Sequence, residues 1–303
     1  MSLVERALKK AQESRAATAA SARAPAAAAQ AIKEAPSTKP IEDDGSREPR
    51  KPPRTVLIDH DALRAAAILP PANQERLLAD EYRQIKRPLI SAALGRNADP
   101  LPNGHFMMIA SALPGDGKTF TSINLALSMA LERDISVLLV DADVAKPHVS
   151  KIFGVDQERG LLDLLRDERE DVESLILPTS VPGLSLLPAG RLTETATELL
   201  ASSRMEEIIS QLAARDPNRI VLFDSPPLLL TSESRALATI VGQIVLVVKA
   251  NSTPQRAVFD VLDLLGDGKS VNLVLNQATE RAKVGYYQYY GERSVPQNSA
   301  PER

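Results

Sequence analysis

Short apolar runs alternate with segments of helical periodicity from about residue 71 to residue 280. The runs are almost continuous Val, Ile and Leu, which is typical of parallel strands buried on both faces by helices. The pattern predicts strands at Phe106–Ser111, Ser136–Asp141, Leu184–Leu187, Arg219–Asp224, Gln243–Val248 and Val271–Asn276. It predicts helices at Ala79–Ala93, Lys118–Leu131, Leu161–Arg166, Ala196–Ala214 and Pro254–Leu265. The predicted fold class is α/β, with a mostly parallel sheet flanked by helices.

The first 70 residues follow neither pattern. They are rich in Ala, Pro and charge, and most of them bury too little apolar surface to offset the entropy of ordering. Ser2 and Glu5 form a capping-box pattern, which predicts a short helix that is either frayed or docks on a protein partner or a membrane. The predicted organisation is a helix at 1–17, a disordered linker at 18–70, a folded domain at 71–280 and a tail at 281–303.

Composition narrows the classes of function. The chain has no Cys, which excludes disulfide scaffolds, Cys-ligated metal sites and thiol nucleophiles. The three His residues lie far apart in the sequence, so a His-rich metal site is not expected. A net charge of −3 gives no reason to expect nucleic acid as a partner. No apolar run approaches the ~20 residues of a membrane span, and a cytosolic protein is expected.

A glycine-rich segment from Ala112 to Thr119 follows the first predicted strand and opens a helix. This strand, loop and helix are the context that a P-loop requires. Gly115 and Gly117 allow the backbone to wrap a phosphate. Lys118 can reach the β- and γ-phosphates, and the Thr119 hydroxyl can bind Mg²⁺. Ala112 stands where many P-loops have Gly, so the motif is a deviant one. The residues predicted to bind the nucleotide here are Pro114, Gly115, Asp116, Gly117, Lys118, Thr119 and Phe120.

Three aspartates follow predicted strands. Asp141 and Asp143 come at the end of one strand, and Asp224 ends another. Because the carboxyl ends of parallel strands meet at one edge of a sheet, all three are expected beside the P-loop. A single Asp after a strand is usually a turn or cap residue. Three of them next to a P-loop fit ligands for Mg²⁺ and a base for an incoming hydroxyl.

These three motifs resemble the Walker A, A′ and B motifs of the bacterial tyrosine kinases, which control capsule and exopolysaccharide synthesis. The resemblance covers about residues 70–290. The opening segment at 2–8, together with residues 82–87, is similar to the subgroup associated with exosortase/PEP-CTERM exopolysaccharide loci. One departure is Ala145, where the family's A′ motif usually has Arg; Lys146 follows and could supply the cation.

The resemblance implies an ATP-dependent protein tyrosine autokinase that uses ATP and Mg²⁺. It implies Lys118 as the charge that stabilises transfer and Asp141 as the base, with Asp143, Asp224 and Thr119 serving the metal. Asn276 stands where related ATPases contact adenine, or is only the turn residue that ends its strand.

A motif on the first long helix resembles the family's oligomerisation motif. Asp80, Arg83 and Lys86 replace the usual Glu, Arg and Arg, and their spacing predicts one helix face. The resemblance implies a homo-oligomer, with a ring as the expected form. The other interpretation is a solvated helix surface.

Four of the five tyrosines lie in one stretch of five residues, 286–290, inside the tail. They resemble the family's autophosphorylation cluster, and a packed aromatic strand or a stacking surface is the alternative. The family also relies on a membrane-spanning activator related to polysaccharide chain-length regulators. A separate activator is therefore expected, which would recruit the protein to the inner face of the membrane. The clustered residues are Tyr286, Tyr287, Tyr289 and Tyr290.

Two other functions share much of this pattern. A partition or septum-positioning ATPase would have a similar sheet, but it carries an extra Lys early in its P-loop, where this chain has Leu113 and Pro114. A nucleotide-switched scaffold with vestigial kinase activity would retain all of the motifs.

Overall fold

The computed structural model describes residues 54–96 and 101–278. The predicted N-terminal helix, the linker up to residue 53 and the tyrosine cluster lie outside these residues. The strands are β1 (Phe106–Ser111), β2 (Ser136–Asp141), β3 (Leu177–Pro178), β4 (Leu184–Leu187), β5 (Arg219–Asp224), β6 (Gln243–Lys249) and β7 (Ser270–Asn276). The helices are α1 (His60–Ala65), α2 (Glu75–Leu94), α3 (Lys118–Ala130), α4 (His148–Ile152), α5 (Leu161–Arg166), α6 (Ala196–Leu200), α7 (Ser203–Arg215), α8 (Ser232–Ile240) and α9 (Gln255–Leu265). A 3₁₀ turn occupies Val172–Leu175.

The strands form one sheet in the order β3-β4-β2-β5-β1-β6-β7. Every adjacent pair is parallel except β3 and β4, which are antiparallel. The predicted fold class, a mostly parallel α/β sheet, is confirmed. The two strands nearest the site are in register, so that Asp141 of β2 lies opposite Asp224 of β5.

Helices cover both faces of this sheet, and successive strand residues point into separate cores. On β1, Phe106 and Met108 join one core with α5 to α9, while Met107 and Ile109 join the other with α1, α2 and α3. This two-sided burial explains why the strands are apolar without alternation. Among the helices of the described residues, none combines the length and apolar surface that a bilayer crossing requires.

The folded part begins earlier than predicted. Residues 54–69 were expected in the linker, but Val56 and Leu63 are buried in the second core and Val56 pairs with Thr179 beside β3. Asp59 caps α1 by accepting hydrogen bonds from the N–H groups of Asp61 and Ala62. The boundary predicted at residue 70 is therefore wrong.

The predicted helix at 196–214 is two helices, α6 and α7. The chain leaves helical geometry at Ala201 and Ser202, where the Ser202 hydroxyl donates to the Leu199 carbonyl. A Ser at this position favours a new helix start over continuation. Sequence periodicity also missed two shorter helices, α4 and α8.

Candidate active site

The segment between β1 and α3 has the shape of a phosphate-binding loop. Gly115 and Gly117 have φ angles of 83° and 97°, in the left-handed region that favours glycine. A Cβ atom on Gly117 would also lie 2.0 Å from the Asn276 Nδ2 atom. The sequence therefore needs glycine at 117 both for its backbone angle and for the close approach of β7.

Lys118 is the first residue of α3, and its side chain turns back along the loop. Only 8% of the residue is exposed, and Nζ donates to the Ser111 hydroxyl at 3.1 Å. Burial lowers the pKa of the Lys118 ammonium, and three nearby carboxylates oppose that shift. The ammonium also stands at the positive end of the helix dipole, so this region favours an additional anion such as a phosphate.

Asp224, at the end of β5, accepts hydrogen bonds from two hydroxyl groups of α3. Thr119 Oγ1 donates to Oδ2 at 2.8 Å, and Ser122 Oγ donates to Oδ1 at 2.7 Å. Burial raises the pKa of the Asp224 carboxyl to about 6, against the effect of these two hydrogen bonds. Two of the three residues predicted to hold the metal, Thr119 and Asp224, are thus in direct contact, and the third is Asp143.

Asp141 lies across from Asp224 and is fully buried. Its Oδ2 atom accepts two hydrogen bonds of 2.7 Å from Ser150, one from the N–H and one from the hydroxyl. Its Oδ1 atom is buried and has no partner in the described structure. Burial raises the pKa of the Asp141 carboxyl to about 7, which the Ser150 bonds oppose and the neighbouring Asp224 and Asp143 increase. A carboxyl that titrates near neutral pH is suited to exchange a proton during catalysis.

Asp143 follows β2 and is only partly buried. Its Oδ1 atom accepts the Lys146 N–H at 3.1 Å. Burial raises the pKa of the Asp143 carboxyl, while that hydrogen bond and the charge of Lys118 oppose the shift. Lys146 and Ala145 are exposed, so the cation expected in this motif stands in solvent.

Asn276 reaches the P-loop from the end of β7. Its Nδ2 atom donates to the Asp116 carbonyl at 2.8 Å. This places it at the same sheet edge as the P-loop, although its predicted contact with adenine stays a prediction. Pro114 and Gly115 are exposed at the rim of the loop, and Phe120 packs against the second core.

The oxygen donors fit Mg²⁺ that is held together with a phosphate chain. Within residues 54–96 and 101–278, no group of three or more His, Cys, Asp or Glu side chains is placed to hold a metal by itself. Mg²⁺ usually takes one or two carboxylates and completes its shell with phosphates and water. The Thr119 hydroxyl beside the Asp224 carboxylate provides that kind of partial site.

Comparison with known proteins agrees with this geometry. The AAA domain family matches residues 105–274. The chain is 29% identical over 218 residues to the tyrosine-protein kinase YwqD of Bacillus subtilis, covering 72% of this chain and 88% of YwqD. It is 30% identical over 188 residues to the putative tyrosine-protein kinase CapB of Staphylococcus aureus, covering 61% of this chain and 81% of CapB. The chain belongs to the bacterial tyrosine kinases.

The match to longer relatives is partial. The kinase spans 26% of the tyrosine-protein kinase wzc of Salmonella typhimurium, at 29% identity over 60% of this chain. Among solved structures, the VpsO kinase domain superposes with a TM-score of 0.56 at 30% identity, covering 69% of this chain and all of that one. The Escherichia coli ETK kinase domain gives a TM-score of 0.53 at 27% identity, over 60% and 70% of the two chains. Membership of this family implies that the P-loop binds nucleotide.

The predicted oligomerisation residues of the kinase do not share one exposed face. Asp80 and Arg83 form an ion pair on α2 with half of each side chain exposed. Lys86 is only 4% exposed, and its Nζ atom donates to the Ser128 carbonyl and pairs with Glu132 at 2.9 Å. The prediction of a common surface is wrong for Lys86, because α2 packs this position against the C-terminal end of α3.

Three polar residues of the site were not predicted. Ser122 lies one helical turn after Thr119, and that spacing was a usable signal for a second hydroxyl on Asp224. Ser150 lies in α4, and Thr253 lies in the loop after β6, where its hydroxyl donates to the Asp116 carboxylate at 2.7 Å. Only the fold brings these two residues to the motifs.

Proposed function

We propose that this protein is an ATP-dependent tyrosine autokinase that phosphorylates the tyrosine cluster near its C-terminus. The observation that carries the proposal is the convergence of Lys118 and three aspartates at one sheet edge, with one buried carboxylate oxygen left unpartnered. Kinship with named tyrosine kinases supports the reaction class. The proposed acceptors are Tyr286, Tyr287, Tyr289 and Tyr290.

In the proposed reaction, each residue has a distinct role. The P-loop and Lys118 hold and neutralise the transferred phosphate, while Thr119, Asp143 and Asp224 hold Mg²⁺. Bound Mg²⁺ supplies charge neutralisation on the phosphate oxygens. Asn276 is proposed to contact the adenine, since it closes the neighbouring edge of the site.

Asp141 is the proposed base. Its unpartnered Oδ1 accepts the proton of the tyrosine hydroxyl while the tyrosine oxygen bonds to the γ-phosphorus. The bond from the γ-phosphorus to the bridging oxygen breaks, and ADP leaves with the electron pair. The proton then passes to solvent, which returns Asp141 to the carboxylate. The two Ser150 hydrogen bonds keep the carboxyl group oriented throughout.

We propose that the kinase acts as a ring-like homo-oligomer, in which one subunit presents its tyrosines to the next. Its expected activator is a separate transmembrane polysaccharide chain-length regulator, which brings it from the cytoplasm to the inner face of the membrane. Membrane contact is then made through that partner, and no nucleic acid is involved. The resemblance to the exosortase/PEP-CTERM subgroup supports a role in regulating exopolysaccharide synthesis and export.

The kinase reading is favoured over both alternatives by the named relatives, which are tyrosine kinases. The partition or septum-positioning ATPase lacks comparable support. A scaffold with vestigial kinase activity makes a different prediction, because replacing all four tail tyrosines with Phe would then leave polymer output unchanged.

The test is to incubate the purified full chain with ATP and Mg²⁺, with and without the cytosolic segment of the activator, and to map phosphorylated residues by mass spectrometry. Phosphate is expected on the tail tyrosines. Tyr82 provides an internal control, because it is 5% exposed and should stay unmodified. The absence of phosphotyrosine under both conditions would contradict the proposal.

A further inference from the structure

Asp116 is a buried acidic residue in the middle of the loop that is expected to bind phosphate. It is 3% exposed and lies between Gly115 and Gly117, the two glycines with left-handed backbone angles. A carboxylate near a phosphate opposes binding by charge repulsion. Charge attraction to the nucleotide therefore does not explain this side chain.

The hydrogen bonds of the Asp116 carboxylate indicate that this side chain holds the loop in place. Its Oδ2 atom accepts the Leu113 N–H at 3.4 Å, which closes the loop on itself. Its Oδ1 atom accepts the Thr253 hydroxyl at 2.7 Å, from the loop after β6. The Thr253 oxygen in turn accepts the Lys249 N–H at 3.0 Å, so its own proton is directed at Asp116. Asn276 holds the same residue through its carbonyl.

We propose that Asp116 is a positioning residue, which through Thr253 latches the P-loop in its phosphate-binding shape. Without the latch, two flanking glycines leave the loop free to adopt many other backbone conformations. Nucleotide binding would then have to order the P-loop, and the entropy lost in doing so would weaken the affinity. The hydrogen bond to Thr253 orders the loop before the nucleotide binds. The latch also joins the P-loop to the segments that end β6 and β7, so the phosphate side and the proposed adenine side of the site hold one arrangement.

This inference rests on the proposed binding of ATP, and the test separates the two. Thr253→Val removes the hydroxyl while keeping the shape, Thr253→Ser restores it, and Asp116→Asn weakens the acceptor. Thr239→Val is the matched control, because the exposed Thr239 hydroxyl donates to the Ala236 carbonyl of its own helix. Each full-length variant is titrated with the fluorescent nucleotide mant-ADP in Mg²⁺, and its melting temperature is measured without nucleotide.

Thr253→Val is expected to bind mant-ADP about tenfold to a hundredfold more weakly, the range for losing a hydrogen bond to a charged group. Thr253→Ser and Thr239→Val should bind within about threefold of the wild type. The KM for ATP should rise by the same factor as the dissociation constant, with kcat nearly unchanged. Asp116→Asn combined with Thr253→Val should be no worse than the more affected single variant.

Equal affinity of Thr253→Val and the wild type would overturn the latch and leave the proposed function in place. A melting temperature that falls in Thr253→Val while affinity and KM stay unchanged would also overturn it, since that result shows a merely structural role. A wild type that does not bind mant-ADP would overturn the nucleotide site itself.

Discussion

Two buried lysines stand at opposite ends of α3 and are held in opposite ways. At the C-terminal end, Lys86 donates to the Ser128 carbonyl and pairs with Glu132. At the N-terminal end, Lys118 donates a hydrogen bond to the neutral Ser111 hydroxyl, and it forms no ion pair within the residues that the structure describes. A helix is negative at its C-terminal end and positive at its N-terminal end, so a lysine complements the first end and opposes the second.

The difference separates a structural charge from a functional one. At the C-terminal end of α3, the charge of Lys86 is balanced by Glu132 and by the helix dipole, so this end does not require a ligand. The Lys118 end combines a cation, a positive dipole and raised carboxyl pKa values, and one buried oxygen of Asp141 has no partner. This end would accept Mg²⁺ and the triphosphate of the proposed substrate together, because the carboxyl groups complement the metal ion and Lys118 with the helix N-terminus complements the phosphates.

A large loss of phosphate transfer is expected from replacing Asp141, at the functional end. Asp141→Asn should reduce phosphate transfer by about 10² to 10⁴-fold, the range for losing a general base. Affinity for mant-ADP should change by no more than about threefold, because Asp141 is proposed to act on the hydroxyl. Single-turnover assays and nucleotide titration measure the two quantities. Asp134→Asn is a suitable control, since that carboxylate is largely exposed. Transfer by Asp141→Asn at the wild-type rate would show that the base lies elsewhere.

At the structural end, Lys86→Met should lower the free energy of unfolding by about 1–3 kcal/mol, because a buried carbonyl and a carboxylate lose their partner. Arg83→Ala removes an exposed ion pair of the same helix and should cost less than about 1 kcal/mol. Urea unfolding without nucleotide measures both. If Lys86→Met is as stable as the wild type, the claim that Lys86 has a structural role is contradicted.

The sequence anticipated the site where chemistry and secondary structure coincide. Parallel strands give continuous apolar runs, and the motifs follow directly from their ends, so the P-loop and its aspartates could be placed. The buried position of Lys86 could not be predicted in this way. Helical spacing shows which residues share a face of α2, but it does not show which face packs on α3. Ser150 and Thr253 were missed for a related reason, since each meets its partner only after distant segments fold together.

The raised carboxyl pKa values predict how stability depends on pH. A folded pKa of about 7 for Asp141 and about 6 for Asp224 lies above the ordinary value of 3.8. The folded state therefore keeps protons that the unfolded state releases, and this stabilising contribution is complete below about pH 4 and is lost as the pH rises to about 7. Asp141→Asn should raise stability by about 1–2 kcal/mol at pH 8, and the gain should shrink toward pH 5. Thermal unfolding of the nucleotide-free protein across this range checks the prediction, and a gain that does not vary with pH would contradict it.

The smallest expected effect on stability belongs to the exposed pair on α2. Replacing Asp80 and Arg83 together with Ala should lower the oligomeric mass measured by light scattering, while unfolding changes by less than about 1 kcal/mol. Lys86→Arg should retain the mass, because Lys86 contacts its own subunit. An unchanged mass in the double variant would assign the pair to a solvated helix surface.

The contrast between the two ends of α3 is tested most directly by measuring phosphotyrosine in three full-length proteins: the wild type, Lys118→Met and Lys86→Met. Each is incubated with ATP, Mg²⁺ and the activator's cytosolic segment, at a temperature below the melting point of the least stable variant. Phosphotyrosine is expected in the wild type and in Lys86→Met, and it should be absent in Lys118→Met even though that variant remains folded. Equal phosphotyrosine in Lys118→Met and the wild type would contradict the assignment of the N-terminal end of α3 as the site of phosphate transfer.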